Sequence, residues 1–295
     1  MTDPELSVVV AGSRSDGPPA SLVERLGPLL AAGRVEILLA TARPDPLPEG
    51  SPAGVRLVSS PPGTTVPRLR ATGWAAARGT IIALTEDFCV PGSGWAEALL
   101  AAHRLHPVVA VGGPVTRRAG SRAEWALTFC EYGRFFHPEA AGAVTDLPGM
   151  NVSYKSAALR RMLGGTLPQE VREIDLHAEI LRRGGTLWRD PLMVMEDQGR
   201  TTLGRAIGSM YHHGRLYGAG RVIGQGAPVR LARALLVPAV PAVLAARIVR
   251  QAIPAGQAAP LLRAAPALAC LLFGWAAGEG VGALAGAGDS GGRWT

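Results

Sequence analysis

The chain opens with an apolar, β-branched run, LSVVVAG (Leu6–Gly12), that stops at a glycine, the pattern of a buried strand. Leu22, Leu26, Leu29 and Leu30 then recur at helical spacing in PASLVERLGPLLAAG, which ends at Gly33. VEILLAT and GVRLVSS predict two more strands, VPRLRATGWAAARG a helix, and TIIALTED a fourth strand directly after it. A helix follows from the PGSGW turn through AEALLAAHRL, then a strand over VVAVGGPV and a helical or irregular stretch over EWALTFCEYGRFF. DLPGMNVSYKSAALRRML reads as a loop at Leu147–Met150, a short strand, and a helix capped by Ser153 or Ser156. EVREIDLHAEILRRGG is an amphipathic helix stopped by Gly184 and Gly185, and TLWRDPLMVMED a last strand. Strands alternating with helices predict an α/β fold, Rossmann-like, with a mostly parallel sheet covered by helices on both faces.

The pattern changes near Thr201. A helix with basic residues on one face, TTLGRAIGSMYHHGRLYGAGRV, precedes two uncharged apolar runs, Ala234–Ala246 and Ala264–Gly278. Both are shorter than the roughly 18 to 20 residues a spanning helix needs. The expectation is a domain over residues 1–200 and a helical tail over 201–295. The tail is read as membrane-associated, through interfacial helices or a shallow hairpin, against the alternative of a helical cap on the main domain.

Charge supports that division. The formal net charge is +7, but residues 1–200 carry 21 basic and 21 acidic side chains, whereas residues 201–295 carry 9 and 2. The excess lies among Ala, Leu, Val and Pro with few aromatics, which fits a membrane surface better than a nucleic-acid groove, where stacking aromatics and dense Lys/Arg are expected. Three scattered cysteines form neither a disulfide framework nor a thiolate zinc site. The N-terminal stretch lacks the pattern of a cleaved secretory signal, so the catalytic part is expected at the cytoplasmic face of the membrane.

Candidate chemistry begins at Glu86 and Asp87, adjacent acids at the carboxyl end of the fourth strand. Ligands of such sheets bind there; the alternative is a pair of solvated acids in a surface turn. His212 and His213 diverge by about 100 degrees on a helix and form no HExxH-type pair. Cys89 reads as a small buried residue.

Taken in order, SVVVAG, VPRLRATGWAAARGTIIALTEDF, PGSGWAEALLAAH, VAVGGPV, LPGMNVSYKSAAL and EIDLHAEILRRGG resemble the family-2 glycosyltransferases over roughly residues 6–197. The resemblance implies a GT-A fold and transfer of a sugar, with inversion, from a nucleotide-diphosphate sugar donor to a lipid-linked or glycan acceptor, with Mg2+ or Mn2+ as cofactor. The family's Asp-x-Asp metal motif aligns with Thr85-Glu86-Asp87, which makes Asp87 the metal ligand. A hard divalent cation takes oxygen ligands and offsets the charge of a departing diphosphate. The same alignment places the donor against Ala11, Gly12, Arg70, Glu86 and Asp87. The catalytic base falls on Glu173, with Asp175 as the following acid; the alternative is that both merely complement a helix dipole. Residues two apart on a helix point to different faces, so one of them is expected to meet the acceptor, and Glu173 is favoured. Gly149 and Asn151 fall on the acceptor-side loop and strand, Asn151 as a donor or acceptor to a hydroxyl.

Two departures from the family pattern bear on function. Where the family often has an acid that reads the nucleotide base, this chain has Thr41 and Arg43, so the base is not legible. A Gln-x-x-Arg-Trp motif, the mark of processive synthases, is absent, which favours addition of a single sugar. The alternative is a catalytically inactive GT-A-fold nucleotide-binding or scaffold protein.

Overall fold

A computed structural model of the chain describes residues 3–12, 19–43, 46–47, 49–138 and 140–293. In chain order the elements are β1 (Leu6–Gly12), α1 (Ala20–Ala31), β2 (Val35–Thr41), β3 (Val55–Ser59), α2 (Val66–Ala76), β4 (Ile81–Glu86), β5 (Cys89–Pro91), α3 (Trp95–Leu105), β6 (Ala110–Gly112), β7 (Val115–Thr116) and α4 (Arg122–Tyr132). There follow β8 (Gly142–Val144), β9 (Val152–Lys155), α5 (Ser156–Met162), α6 (Glu173–Arg182), β10 (Leu187–Arg189), β11 (Met195–Asp197), α7 (Leu203–Gly220), α8 (Ala227–Leu236), α9 (Val240–Ala252) and α10 (Ala258–Ala285). The chain divides into two compact units, Met1–Thr116 with His137–Gln198, and Arg117–Phe136 with Gly199–Thr295.

The first unit is built on an eight-stranded sheet of order β3-β2-β1-β4-β9-β6-β10-β8. Every residue of β1 and β2 is buried, which is why both read as mostly apolar runs, interrupted by Ser7, Glu36 and Thr41, rather than as alternating ones. The sheet is mixed: β3, β2, β1 and β4 pair in parallel, but β9 runs antiparallel between β4 and β6, and β8 antiparallel beside β10. Because β2 and β4 flank β1 on opposite sides, the strand order reverses at β1, and ligands of such sheets bind beyond the carboxyl ends of the strands at a reversal of this kind.

Two runs expected as single strands are divided. VVAVGGPV splits into β6 of the large sheet and β7 of a three-stranded sheet of order β5-β11-β7, with Gly113 and Pro114 between them. Proline has no N–H for a ladder, and Gly113 lies so close to the Met193 carbonyl that a side chain would not fit. Asp190 and Pro191 divide the last expected strand into β10 and β11 in the same way. Neither serine expected to cap α5 does so: Ser153 is buried in β9, bonded to the Val111 carbonyl and to His103, and Ser156 is the first helical residue.

Glu36 on β2 is a carboxylate buried in this unit, 1% exposed. It accepts from Ser7 Oγ (2.6 Å), the Arg78 backbone N–H (2.8 Å) and the guanidinium groups of Arg56 (2.7 Å) and Arg78 (3.0 Å). Burial pushes its pKa up, but these hydrogen bonds outweigh burial and hold it below the ordinary carboxylate value.

The second unit is helical. Trp125, Phe129 and Phe136 from the α4 segment share one core with Met210, Ile248, Leu261 and Leu271, which draws Arg117–Phe136 out of the expected first domain. A capping box on Ser121 and Glu124 starts α4. The α7 and α10 helices run parallel, with Gly274, Gly278 and Gly282 against Ile207, Tyr211 and Arg215, and Gly214 and Gly218 against Trp275 and Glu279. This is a small-xxx-small seam in which the backbones touch. His212 Nδ1 lies 3.0 Å from Ser290 Oγ.

Ala227–Ala252 and Ala258–Ala285, 26 and 28 residues, are long and apolar enough to cross a membrane by length and composition. The uncharged runs understate these lengths, because the helices continue through Arg233, Arg247, Arg263 and Glu279. Pro238 and Pro241 sit in first-turn positions, where a missing N–H is harmless, and do not end the stretch. Leu235, Leu236, Val243, Leu262 and Phe273 are all exposed, consistent with membrane association.

Candidate active site

In parallel register Ala11 faces Glu86, so the carboxyl ends of β1 and β4 place Gly12 beside Asp87. A Cβ on Gly12 would sit 3.1 Å from Asp87 Oδ2; the absent side chain leaves room for the carboxylate to lie over the strand end. Thr85, at the position of the first motif acid, is fully buried.

The centre of the site is Arg70, on α2 and 4% exposed. It donates to Glu86 Oε1 at 2.7 Å and to Glu173 Oε2 at 2.5 Å, so one guanidinium joins the end of β4 to the first residue of α6. The sequence places Arg70 against a diphosphate; the structure engages it in holding two carboxylates. Glu173 packs directly on Gly149, where an added Cβ would lie 2.5 Å from Glu173 Oε1. Gly149 therefore receives the carboxylate of α6 rather than open space.

Burial raises the pKa of Glu86 above the ordinary carboxylate value; Arg70 opposes this, and the charges of Glu173, Asp87 and Asp197 add to it. Glu86, Glu173, Asp87 and Asp197 thus bring four carboxylates to one neighbourhood, hard oxygen donors of the kind that suit a cation. Among the described residues, however, no three His, Cys, Asp or Glu side chains are grouped so as to hold a metal ion. A metal here would take one or two protein carboxylates and fill its remaining positions from a ligand or water, as Mg2+ commonly does with phosphates.

Asp175 is exposed and lies 3.4 Å from Arg172 Nε, on a different face of α6 from Glu173. Asn151 is fully buried: Oδ1 accepts from Trp95 Nε1 at 2.8 Å, and Nδ2 donates to the carbonyls of Pro114 (3.1 Å) and Met193 (2.6 Å). Its amide is satisfied inside the protein, where it ties α3, β9 and the segment before β11 together, and is not offered to an acceptor. Thr41, buried at the end of β2, accepts from the Arg43 N–H.

Two groups were not legible as site residues. Asp197, 5% exposed, ends β11 and pairs in register with Cys89, which carries its charge toward Glu86. The signal was present, since VMED ends an apolar strand with the same acidic pair as LTED. The second is a buried chain: Tyr154 OH lies 2.9 Å from His177 Nε2, and His177 Nδ1 lies 2.8 Å from Asp146 Oδ1. His177 follows Glu173 by one helical turn, and the Glu173 charge reaches the Tyr154 hydroxyl. Burial first, and that charge second, raise the Tyr154 pKa far above its ordinary value, so the phenol stays a neutral hydrogen-bonding partner beneath the site.

No protein-family model matches the sequence, and no curated protein matches it. Among solved structures, the mannosyltransferase PcManGT from Pyrobaculum calidifontis in complex with GDP-Man and Mn2+ is similar, at 18% identity and a TM-score of 0.52 over 94% of this chain and 87% of that one. GalNAc-T7 with UDP, GalNAc and Mn2+ matches at 14% identity and a TM-score of 0.48, over 66% of this chain and 44% of that one. S. aureus TarS 1-349 matches at 11% identity and a TM-score of 0.45, over 72% and 64%. The likeness to the first of these is one of fold: a GT-A-like mixed sheet flanked by helices.

Proposed function

We propose that this protein is a metal-assisted, inverting glycosyltransferase of the family-2 type, moving one sugar from a nucleotide-diphosphate donor to a lipid-linked or other membrane-proximal acceptor at the cytoplasmic face of a membrane. The observation that carries this reading is the Glu86–Arg70–Glu173 bridge beside Asp87 and Gly12, at the strand-order reversal of a GT-A-like sheet. Asp87 would hold Mg2+ or Mn2+, which would offset charge on the departing diphosphate. Ala11 and Gly12, at the end of β1 beside Asp87, carry the backbone that the donor would approach. Glu173 takes the proton of the acceptor hydroxyl as general base. Arg70 fixes the orientation of that carboxylate, and the Tyr154–His177–Asp146 chain supports the helix that bears it. Residues 201–295 keep this chemistry near its acceptor.

The test is a thermal-shift screen against nucleoside diphosphates and nucleotide sugars with and without Mn2+, followed by transfer assays on Asp87→Asn and Glu173→Gln. Binding to the native state raises the melting temperature. We expect a metal-dependent shift with one nucleotide, lost in Asp87→Asn, and a fall in turnover of about 10²- to 10⁴-fold in Glu173→Gln with the shift retained. Unchanged turnover in Glu173→Gln would overturn its role as base.

Two observations favour a second reading, an inactive nucleotide-binding or scaffold protein: Glu173, the base, is already engaged by Arg70, and Thr85 replaces the first motif acid. That reading predicts a nucleotide-dependent shift without turnover of any donor.

A further inference from the structure

The arginines at the two ends of the α9–α10 pair differ in what they meet. Near the carboxyl end of α10 they are consumed internally: Arg215 donates to the Gly286 carbonyl at 3.0 Å, Arg230 to the Ala283 and Leu284 carbonyls at 2.9 and 3.2 Å, and Arg293 pairs with Asp289 at 2.7 Å. These contacts satisfy helix-end carbonyls and a local acid. The opposite end of the pair is closed by the short connection Ile253–Gln257, so that α9 and α10 form a hairpin. There Arg247, Arg250 and Arg263 are exposed, and none has a hydrogen bond or ion pair among the described residues. No Asp or Glu occurs between Asp197 and Glu279, and Glu124 and Glu131 of α4, which packs on both helices, form no ion pair with these three arginines.

The same end exposes apolar side chains. Val249, Ile253 and Leu262 are 40%, 54% and 78% exposed, interleaved with the three arginines along α9, the connection and the start of α10. Long cationic side chains beside exposed aliphatics suit a surface that is apolar at one depth and anionic just above it, where the stems lie along acyl chains and the guanidinium groups reach phosphate. A nucleic-acid strand would want stacking aromatics, and the connection and its flanks have none.

We infer that the turn end of the α9–α10 hairpin docks on anionic phospholipid headgroups, with Arg247, Arg250 and Arg263 meeting lipid phosphates and Val249, Ile253 and Leu262 entering the acyl boundary. This inference stands independently of the sugar-transfer reading, because its readout is lipid binding.

The experiment is vesicle flotation of the full chain with phosphatidylcholine alone and with phosphatidylcholine mixed with phosphatidylglycerol. It compares the parent, the variant R247Q/R250Q/R263Q, and a control, R25Q/R104Q/R161Q, that removes the same charge from exposed positions of the other unit. At about fivefold in affinity per arginine near a charged surface, the first variant should lose on the order of a hundredfold on phosphatidylglycerol vesicles, and the control little. The parent should also prefer phosphatidylglycerol and weaken with added salt. Equal loss in both variants, or parent binding indifferent to lipid charge, would overturn the inference. The salt titration of the parent needs no variant: salt-insensitive binding would overturn it as well.

Discussion

Gly149→Ala tests the position of Glu173 without touching Glu173. The new methyl group would lie 2.5 Å from Oε1 and 2.9 Å from Cγ of Glu173. Non-bonded carbon atoms settle at about 3.5 to 4.0 Å, so the carboxylate must retreat by about 1 Å. Its bond to Arg70 starts at 2.5 Å. After that retreat it stands near the limit of a hydrogen bond. A displacement of about 1 Å at a reacting group costs about 10²-fold in rate. Stability should move far less. Overpacking costs about 1 to 3 kcal/mol, at its low end here because Glu173 is a flexible side chain 21% exposed. Gly149 has no positive φ, so alanine fits its backbone and returns about 0.4 to 1 kcal/mol through the unfolded chain. The assay pairs initial rates of sugar transfer with melting curves and the metal-dependent nucleotide shift. We expect kcat to fall about 10²-fold while the melting temperature and the shift hold. Turnover equal to the parent's would refute the geometry argued for Glu173.

Asp175→Asn should leave turnover within a few-fold of the parent, because the side chain is exposed and its ion-pair partner among the described residues is Arg172; a loss matching that of Glu173→Gln would reverse the assignment of the base. Glu36→Gln should cost about 2 kcal/mol at neutral pH by denaturant unfolding, the scale of a hydrogen bond to a buried charge. Its pKa is lowered on folding, so the stabilisation is complete above the unfolded value near 4.5 and lost as pH falls through the folded one; the gap between parent and variant should close on acidification, and a pH-independent gap would contradict this. Gly278→Ala would put a methyl 2.9 Å from the Arg215 nitrogen and closer still to the Tyr211 carbonyl oxygen. The α7 and α10 backbones must part, so thermal unfolding of the helical unit should show a loss of about 3 kcal/mol despite alanine's better helix propensity, whereas a stabilised variant would show that the seam is loose.

Much of the fold was legible because it is local. The apolar runs of β1, β2 and β4, the leucine spacing of α1 and the stop at Gly184 all follow from contacts within a few residues, and the acids at the end of β4 followed from the run they terminate. Asp197 is not legible as a site residue although VMED repeats the pattern of LTED, because its approach to Glu86 depends on β11 pairing with β5, far away along the chain. Asn151 was expected to face a ligand because its residue type and place in a motif cannot report burial; Trp95 and two carbonyls from distant segments decide its partners. Arg70 likewise sits on an ordinary helix, and nothing near it in sequence indicates that its two ends meet Glu86 and Glu173.

By itself, then, the sequence determined the α/β alternation, the strand end that carries Glu86 and Asp87, and the basic, apolar character of the C-terminal region, since each is a property of short segments and composition. The tertiary structure decided that β9 enters the sheet antiparallel, that α4 joins the C-terminal helices, that one buried guanidinium aligns two carboxylates, and that Arg247, Arg250 and Arg263 at the hairpin turn meet no partner among the described residues. Those outcomes turn on which distant groups meet and which are left for a partner, and long-range pairing and burial leave no mark on the order of neighbouring residues.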